Sequence, residues 1–108
     1  MARCGRNTRQ GVVRAFGMGV NRNGAVQVAT QLAQTIALGE GTRWVNAQKC
    51  PKGCPFRSEV VRMWGPARVR FAVPMFDGIW GALVSQTWQA NLWCKESPEE
   101  VGAGEGGD

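Results

Sequence analysis

The chain of 108 residues contains no histidine and no tyrosine. Without an imidazole it cannot build a Ser-His-Asp or Cys-His catalytic set, a histidine zinc site or a histidine pH switch. Acids are also scarce, because residues 1–95 hold only Glu40, Glu59 and Asp77, no two of them on one predicted element. We therefore predict no catalytic residues, no metal and no cofactor, and expect a protein that is not an enzyme.

Long apolar runs are missing as well. No stretch of about 18 apolar residues without a charge occurs, so no membrane-spanning helix is predicted. The length corresponds to one small domain rather than two packed cores.

Positive charge is unevenly distributed along the chain. All thirteen Lys and Arg residues fall within 1–95, which gives this part a net charge of +10, whereas 96–108 carries five acids and no base. Ten of the thirteen are arginines, whose planar guanidinium suits phosphate and carboxylate groups. This split indicates an anionic partner, or a tail that shields the basic part. Arginine enrichment by a GC-rich coding sequence is the alternative.

Three segments follow from the composition. Residues 1–24 hold five glycines and five arginines and are predicted to be a flexible N-terminal arm. Residues 25–95 form the single α+β domain. Residues 96–108 form an acidic, Gly-rich tail with little to bury, which we expect to be disordered.

The clearest local pattern is an amphipathic helix over residues 25–38. Asn23 is predicted to cap it and Gly39 to end it. The helix carries no charge, so its apolar side is expected to cover a sheet. That side comprises Val26, Val28, Ala29, Leu32, Ala33, Ile36 and Ala37.

The remaining elements read as strands. Residues 43–47 could form a short strand, and residues 59–73 a β-hairpin around Trp64–Pro66. The register that best sorts the two faces pairs Val61 with Val69 and gathers three arginines on one side: Arg62, Arg68 and Arg70. It sets Arg62 opposite Arg68, and these like charges require neutralisation by the acidic tail, by Glu59, by Asp77 or by an external anion.

Residues 82–94 alternate as a long strand, with a bend or bulge expected near Gln86. One of its faces comprises Ala82, Val84, Gln86, Trp88, Ala90, Leu92 and Cys94. The predicted fold is therefore one amphipathic helix packed on a small antiparallel sheet of three to four strands.

The four cysteines allow three interpretations. Disulfides are the first, most simply Cys4–Cys94 with Cys50–Cys54, and they require an oxidising compartment. A Cys₄ zinc site is the second, although only one short cysteine pair exists. Buried structural thiols are the third.

Aromatic residues stand beside arginines at several points, a combination that holds single-stranded nucleic acid by stacking and backbone neutralisation. Trp64, at the predicted hairpin tip, and Trp93 are the best candidates for exposed rings. The predicted contacts to an anion or nucleic acid are Arg62, Arg68 and Arg70 on the sheet, Arg3, Arg6, Arg9 and Arg14 on the arm, and Trp64.

Two hypotheses about function follow. The first is a non-catalytic binding or structural protein whose arginines engage an anionic macromolecule, either nucleic acid or a multi-subunit assembly that contains it. The second is a secreted or periplasmic module stapled by disulfides, an inhibitor or an assembly subunit, whose basic charge is incidental.

Overall fold

A computed structural model describes residues 4–96. In chain order the elements are β1 (Gly5–Gly19), α1 (Arg22–Ala47), β2 (Phe56–Met63), β3 (Arg68–Phe76) and β4 (Ile79–Lys95). The helix packs on one face of a four-stranded antiparallel sheet, which confirms the predicted α+β class. The predictions for Arg3 and for the tail beyond Glu96 fall outside the described residues.

Strand β4 is the centre of the sheet. β1 pairs along one of its edges, from Gly5 opposite Cys94 to Gly19 opposite Trp80. β2 and β3 pair with the other edge, one after the other. At 17 residues β4 is long enough to give both strands a partner, so they lie in line along it.

The predicted hairpin of residues 59–73 is therefore wrong, because β2 and β3 pair with β4 and not with each other. Their connector also binds β4, since the Trp64 amide donates to the Thr87 carbonyl at 2.9 Å. Arg62 consequently lies opposite Gln89, and Arg68 opposite Ser85. The direct opposition of these two arginines does not occur.

The predicted N-terminal arm is wrong for residues 5–19, which form β1. β1 pairs along almost the whole of β4, and this pairing satisfies its backbone hydrogen bonds although its glycine content disfavours a strand. Glycine is needed where the helix crosses this strand. A methyl group on Gly17 would lie 2.9 Å from the Ala25 carbonyl oxygen, which is closer than real contacts allow.

The helix is longer than predicted at both ends. Asn21, not Asn23, is the N-cap, and its side chain accepts a hydrogen bond from the Gly24 amide at 2.7 Å. The helix passes through Gly39 and includes the predicted strand of residues 43–47. Packing explains this extension, because Gly41 and Val45 are both buried against the sheet.

Small side chains form the buried side of α1. They recur at every fourth position, at Ala25, Ala29, Ala33, Ala37, Gly41 and Val45. The alanines of the predicted apolar side are thus buried, whereas Val28, Leu32 and Ile36 remain exposed. Between Ala25 and Ala37 the close approach of helix and sheet leaves room for methyl groups but not for larger side chains.

The alternation predicted for β4 is confirmed. All seven residues of its predicted apolar face, from Ala82 to Cys94, are buried under the helix. The bend expected near Gln86 is not found there, since the register with β1 runs through this position without a shift. The irregularities lie in β3, between Val69 and Phe71 and between Pro74 and Phe76.

Two disulfides join the loop after the helix to the sheet. Cys4 is bonded to Cys54 and Cys50 to Cys94, so the predicted presence of disulfides is confirmed and the simplest predicted pairing is wrong. The register sets Gly5, not Cys4, opposite Cys94. Cys4, Cys50, Cys54 and Cys94 belong to one cluster beside Leu92, so the pairing within it is decided by local geometry and not by sequence order. With all four sulfurs bonded, the zinc and thiol interpretations are excluded.

The molecule is elongated, measuring 63 × 25 × 15 Å. Its radius of gyration is 18.6 Å, against roughly 13 Å for a compact domain of this length. The helix covers only one face of the sheet, and no other element within residues 4–96 covers the second face. Among the helices of that range, none is both long and apolar enough to span a membrane.

Candidate anion-binding face

The sheet face away from α1, here called the open face, carries the odd-numbered side chains of β4. Strand register assigns their neighbours to the same face, because directly paired residues point the same way. On β1 these are the even-numbered residues from Arg6 to Met18. On β2 and β3 they include Ser58, Val60, Arg62, Arg68 and Phe71.

The cationic half of the open face is defined by Arg6, Arg14, Arg62 and Arg68. Arg14 and Arg68 both pair with Ser85, from opposite sides of β4. At a strand spacing of about 5 Å, their backbones are about 10 Å apart. Glu59 is the only acid within the four strands, and its pairing with Leu92 assigns it to the helix side. Among the strand residues of this face, therefore, no acid balances the charge of Arg14, Arg62 and Arg68.

Side-chain hydrogen bonds connect β1 and β4 within the cationic half. The Thr8 hydroxyl donates to the Asn91 side-chain oxygen at 2.7 Å, and the Gln10 amide donates to Gln89 at 3.3 Å. These groups are exposed and retain further donors and acceptors. They can therefore hydrogen-bond a ligand lying along the face, where the arginines supply the charge.

Two tryptophan rings lie beside these cations. The Trp93 ring has the Arg6 guanidinium 4.7 Å and the Lys95 ammonium 4.4 Å from its centroid. The Trp64 ring lies 5.2 Å from the Arg62 guanidinium and is about half exposed. Such cation–π contacts hold an aromatic platform next to positive charge.

The position of Trp64 is fixed by a buried side chain on the opposite side of the sheet. The Gln86 amide nitrogen donates to the Gly65 carbonyl at 3.1 Å and to the Thr87 carbonyl at 2.8 Å. Together with the amide bond from Trp64 to Thr87, these contacts attach the β2–β3 connector to β4. The Trp64 ring is therefore carried by a connector that these hydrogen bonds hold against β4.

The predicted contact residues divide into groups. Arg6, Arg14, Arg62 and Arg68 share the open face, with Trp64 at its edge. Arg9 pairs with buried Ala90 and so belongs to the helix side, although it is exposed. Arg70 falls in the β3 irregularity, where the register skips it.

The hydrogen-bonded side-chain pairs Thr8–Asn91 and Gln10–Gln89 are not among the predicted contacts, because the sequence predicts an arm where β1 lies. The signal in the sequence is weak, because only the small or apolar residues at the odd positions from Gly11 to Gly19 indicate a buried strand face.

A small cleft lies near the two disulfides, on the helix side of the sheet and at the end where β1 begins. Its volume is about 220 Å³, and Arg6, Asn7, Lys49 and Cys94 contribute to its walls. This volume is below the roughly 300 Å³ at which small-molecule sites begin. Cys94 is bonded to Cys50, so the cleft offers positive charge but no nucleophile. Within residues 4–96 no cluster of acidic or sulfur ligands could hold a metal ion.

No family model, curated protein or solved structure matches this chain.

Proposed function

We propose that the protein is a non-catalytic binding module whose open face holds single-stranded nucleic acid. The observation that carries this proposal is the cationic half itself, with four arginines, two of them beside tryptophan rings, and no acid among the strand residues of that face. A flexible polyanion gains from distributed arginines by releasing counterions, and from aromatic rings by stacking its bases.

The cationic half is a flat strip, which suits single-stranded nucleic acid better than a duplex. The strip follows β4 from Ser85 to Trp93, which is about 27 Å at 3.3 Å per residue. Within residues 4–96 no helix or hairpin projects from the open face to enter a groove, and base-edge recognition in duplex DNA needs such an element. Contacts along the strip are to charge and ring faces, so weak sequence preference is expected.

The test is a salt titration of binding to a single-stranded oligonucleotide of about 20 nucleotides, with the oxidised full chain. The variant Arg14→Gln/Arg68→Gln should reduce the slope of log affinity against log salt by about 1.4, because each phosphate contact contributes about 0.7. The matched control Arg9→Gln/Arg43→Gln removes the same charge from outside the open face. If both variants lower this slope equally, net charge alone explains the binding, and the proposal is contradicted.

The two disulfides favour a second candidate, an extracytoplasmic interaction module in which disulfides stabilise the fold in place of a large hydrophobic core. It differs in its partner, which would be a protein, and in its compartment. Intact mass of the chain isolated from its source, measured after alkylation without reductant, tests this candidate. A mass four hydrogens below the reduced chain supports it, whereas four alkylated thiols exclude it.

A further inference from the structure

The open face changes character along its length. Beyond the row of Arg14, Ser85 and Arg68 the residues that the register assigns to this face are apolar. We define the apolar end by Phe16, Met18, Phe71, Val73, Met75 and Leu83, all of which register or contact assigns to this face. The Phe16 and Phe71 rings are 6.5 Å apart, and Phe16 and Met75 both lie over Gly81.

These side chains form one continuous patch and are not well covered. Phe71 is 44 % exposed and Met18 52 %, and three others in the patch are similarly exposed. With about half of each large side chain in water, the apolar end leaves on the order of 500 Å² of apolar surface exposed. This is at the upper limit of what a monomeric protein leaves uncovered.

We propose that the apolar end is the interface of a homodimer, in which two copies stack their sheets face to face about a two-fold axis. An apolar patch is complementary to itself, as such an axis requires. Two patches together would remove on the order of 1,000 Å² from water, which is about the lower limit for a specific interface.

Charge determines the orientation of the two copies. A stack with the cationic halves superimposed would oppose the same arginines across roughly 10 Å. A two-fold axis through the apolar end instead sends the two cationic halves in opposite directions, each uncovered. The dimer therefore leaves both strips accessible, and it does not depend on the nucleic-acid proposal.

The test is the concentration dependence of mass by sedimentation equilibrium of the oxidised full chain, from about 1 µM to about 1 mM. Phe71→Glu should raise the dimer dissociation constant at least about 100-fold, because a two-fold interface repeats each substitution. Leu32→Glu on α1 is the matched control, since Leu32 is also 44 % exposed, and it should leave the constant unchanged.

Met18→Glu provides a second variant on another strand, and near-UV circular dichroism verifies the fold of each variant. A chain that stays monomeric at about 1 mM overturns the proposal. Equal dissociation by Leu32→Glu also overturns it and assigns the contact to the helix. A dimer that tightens tenfold as salt rises contradicts the antiparallel orientation, because superimposed arginines gain far more from screening than arginines held at opposite ends of the dimer.

Discussion

The indole ring of Trp88 occupies the space in which a side chain of Gly11 would stand. The two residues are partners across β1 and β4, and a methyl group on Gly11 would lie 2.6 Å from Cε2, Cζ2 and Nε1 of the ring. On its other side the ring meets Gly41 of the helix, where a methyl group would lie 3.1 Å from Cε3. The largest buried ring of this core is thus held between two glycines.

We expect Gly11→Ala to destabilise the fold by about 1–3 kcal/mol, because the ring must leave its position or the strands must separate. Gly5→Ala on the same strand is the control, since nothing lies within 4 Å of a methyl group there. Urea denaturation followed by tryptophan fluorescence measures both. Equal stability of the two variants would contradict this packing.

The sequence predicts the fold class and one strand well, and the reason is visible in β4. Its buried residues alternate strictly from Ala82 to Cys94, which is a local pattern with period two. The helix was located for the same reason. Its ends were missed, because Gly41 and Val45 are helical through contact with Trp88 and its neighbours, which are distant in sequence.

The candidate site was only partly predictable. Arg62, Arg68 and Trp64 were identified by their spacing, but their true neighbours are residues of β1 and β4. Hairpin pairing between β2 and β3 is the local solution, and the choice of β4 as a common partner is a tertiary effect. The grouping of Arg14 with Arg68 around Ser85 therefore could not be derived without the topology.

The disulfide pairing makes a prediction for peptide mapping. Trypsin under non-reducing conditions should release residues 4–6 joined to 53–57, and residues 50–52 joined to 71–95, as Cys4–Cys54 and Cys50–Cys94 require. The pairing predicted from the sequence would join 50–52 to 53–57, and the third possible pairing would join 4–6 to 50–52. Mass spectrometry distinguishes these results directly.

Loss of one disulfide should be costly in a domain of this size. The bonds join residues 50 and 44 positions apart, and loop entropy assigns about 4 kcal/mol to each. We expect the Cys50→Ala/Cys94→Ala variant to lose roughly this amount in urea denaturation. A loss below about 1 kcal/mol would mean that the oxidised loop adds little constraint.

Arg57 supplies the cation that the last turn of α1 lacks. No basic residue lies in that turn, and the Arg57 guanidinium donates to the carbonyls of Val45 and Gln48 and pairs with Glu59 at 2.8 Å. Arg57→Gln should destabilise the protein by about 1–2 kcal/mol, because helix carbonyls lose a charged donor. Glu59→Gln should cost less than about 1 kcal/mol, since this pair is partly exposed.

The control for Arg57 is Arg9→Gln, which removes an exposed arginine from the helix side of β1. Its effect on stability should stay within about 0.5 kcal/mol. Thermal unfolding by circular dichroism at 222 nm compares the three variants. If Arg9→Gln and Arg57→Gln are equally destabilising, general charge rather than the helix terminus is responsible.

Gln86 is a positioning residue for Trp64, because its buried amide attaches the β2–β3 connector to β4. Gln86→Met keeps the volume but leaves the Gly65 carbonyl without this donor, so we expect a loss of about 1–2 kcal/mol in stability. Single-stranded oligonucleotide binding should weaken as well, since Trp64 loses its fixed position beside Arg62. Trp64→Ala should weaken binding by about 1–3 kcal/mol, the value of one stacked base.

A double-mutant cycle separates positioning from a general loss of stability. If Gln86 acts on binding only through Trp64, then Gln86→Met should have no further effect on binding in the Trp64→Ala background. Fluorescence anisotropy of a labelled oligonucleotide measures all four affinities at one salt concentration, under conditions in which each variant is folded. Additive losses would mean that Gln86 supports the cationic half by another route, and the assignment of the connector as the platform for Trp64 would then fail.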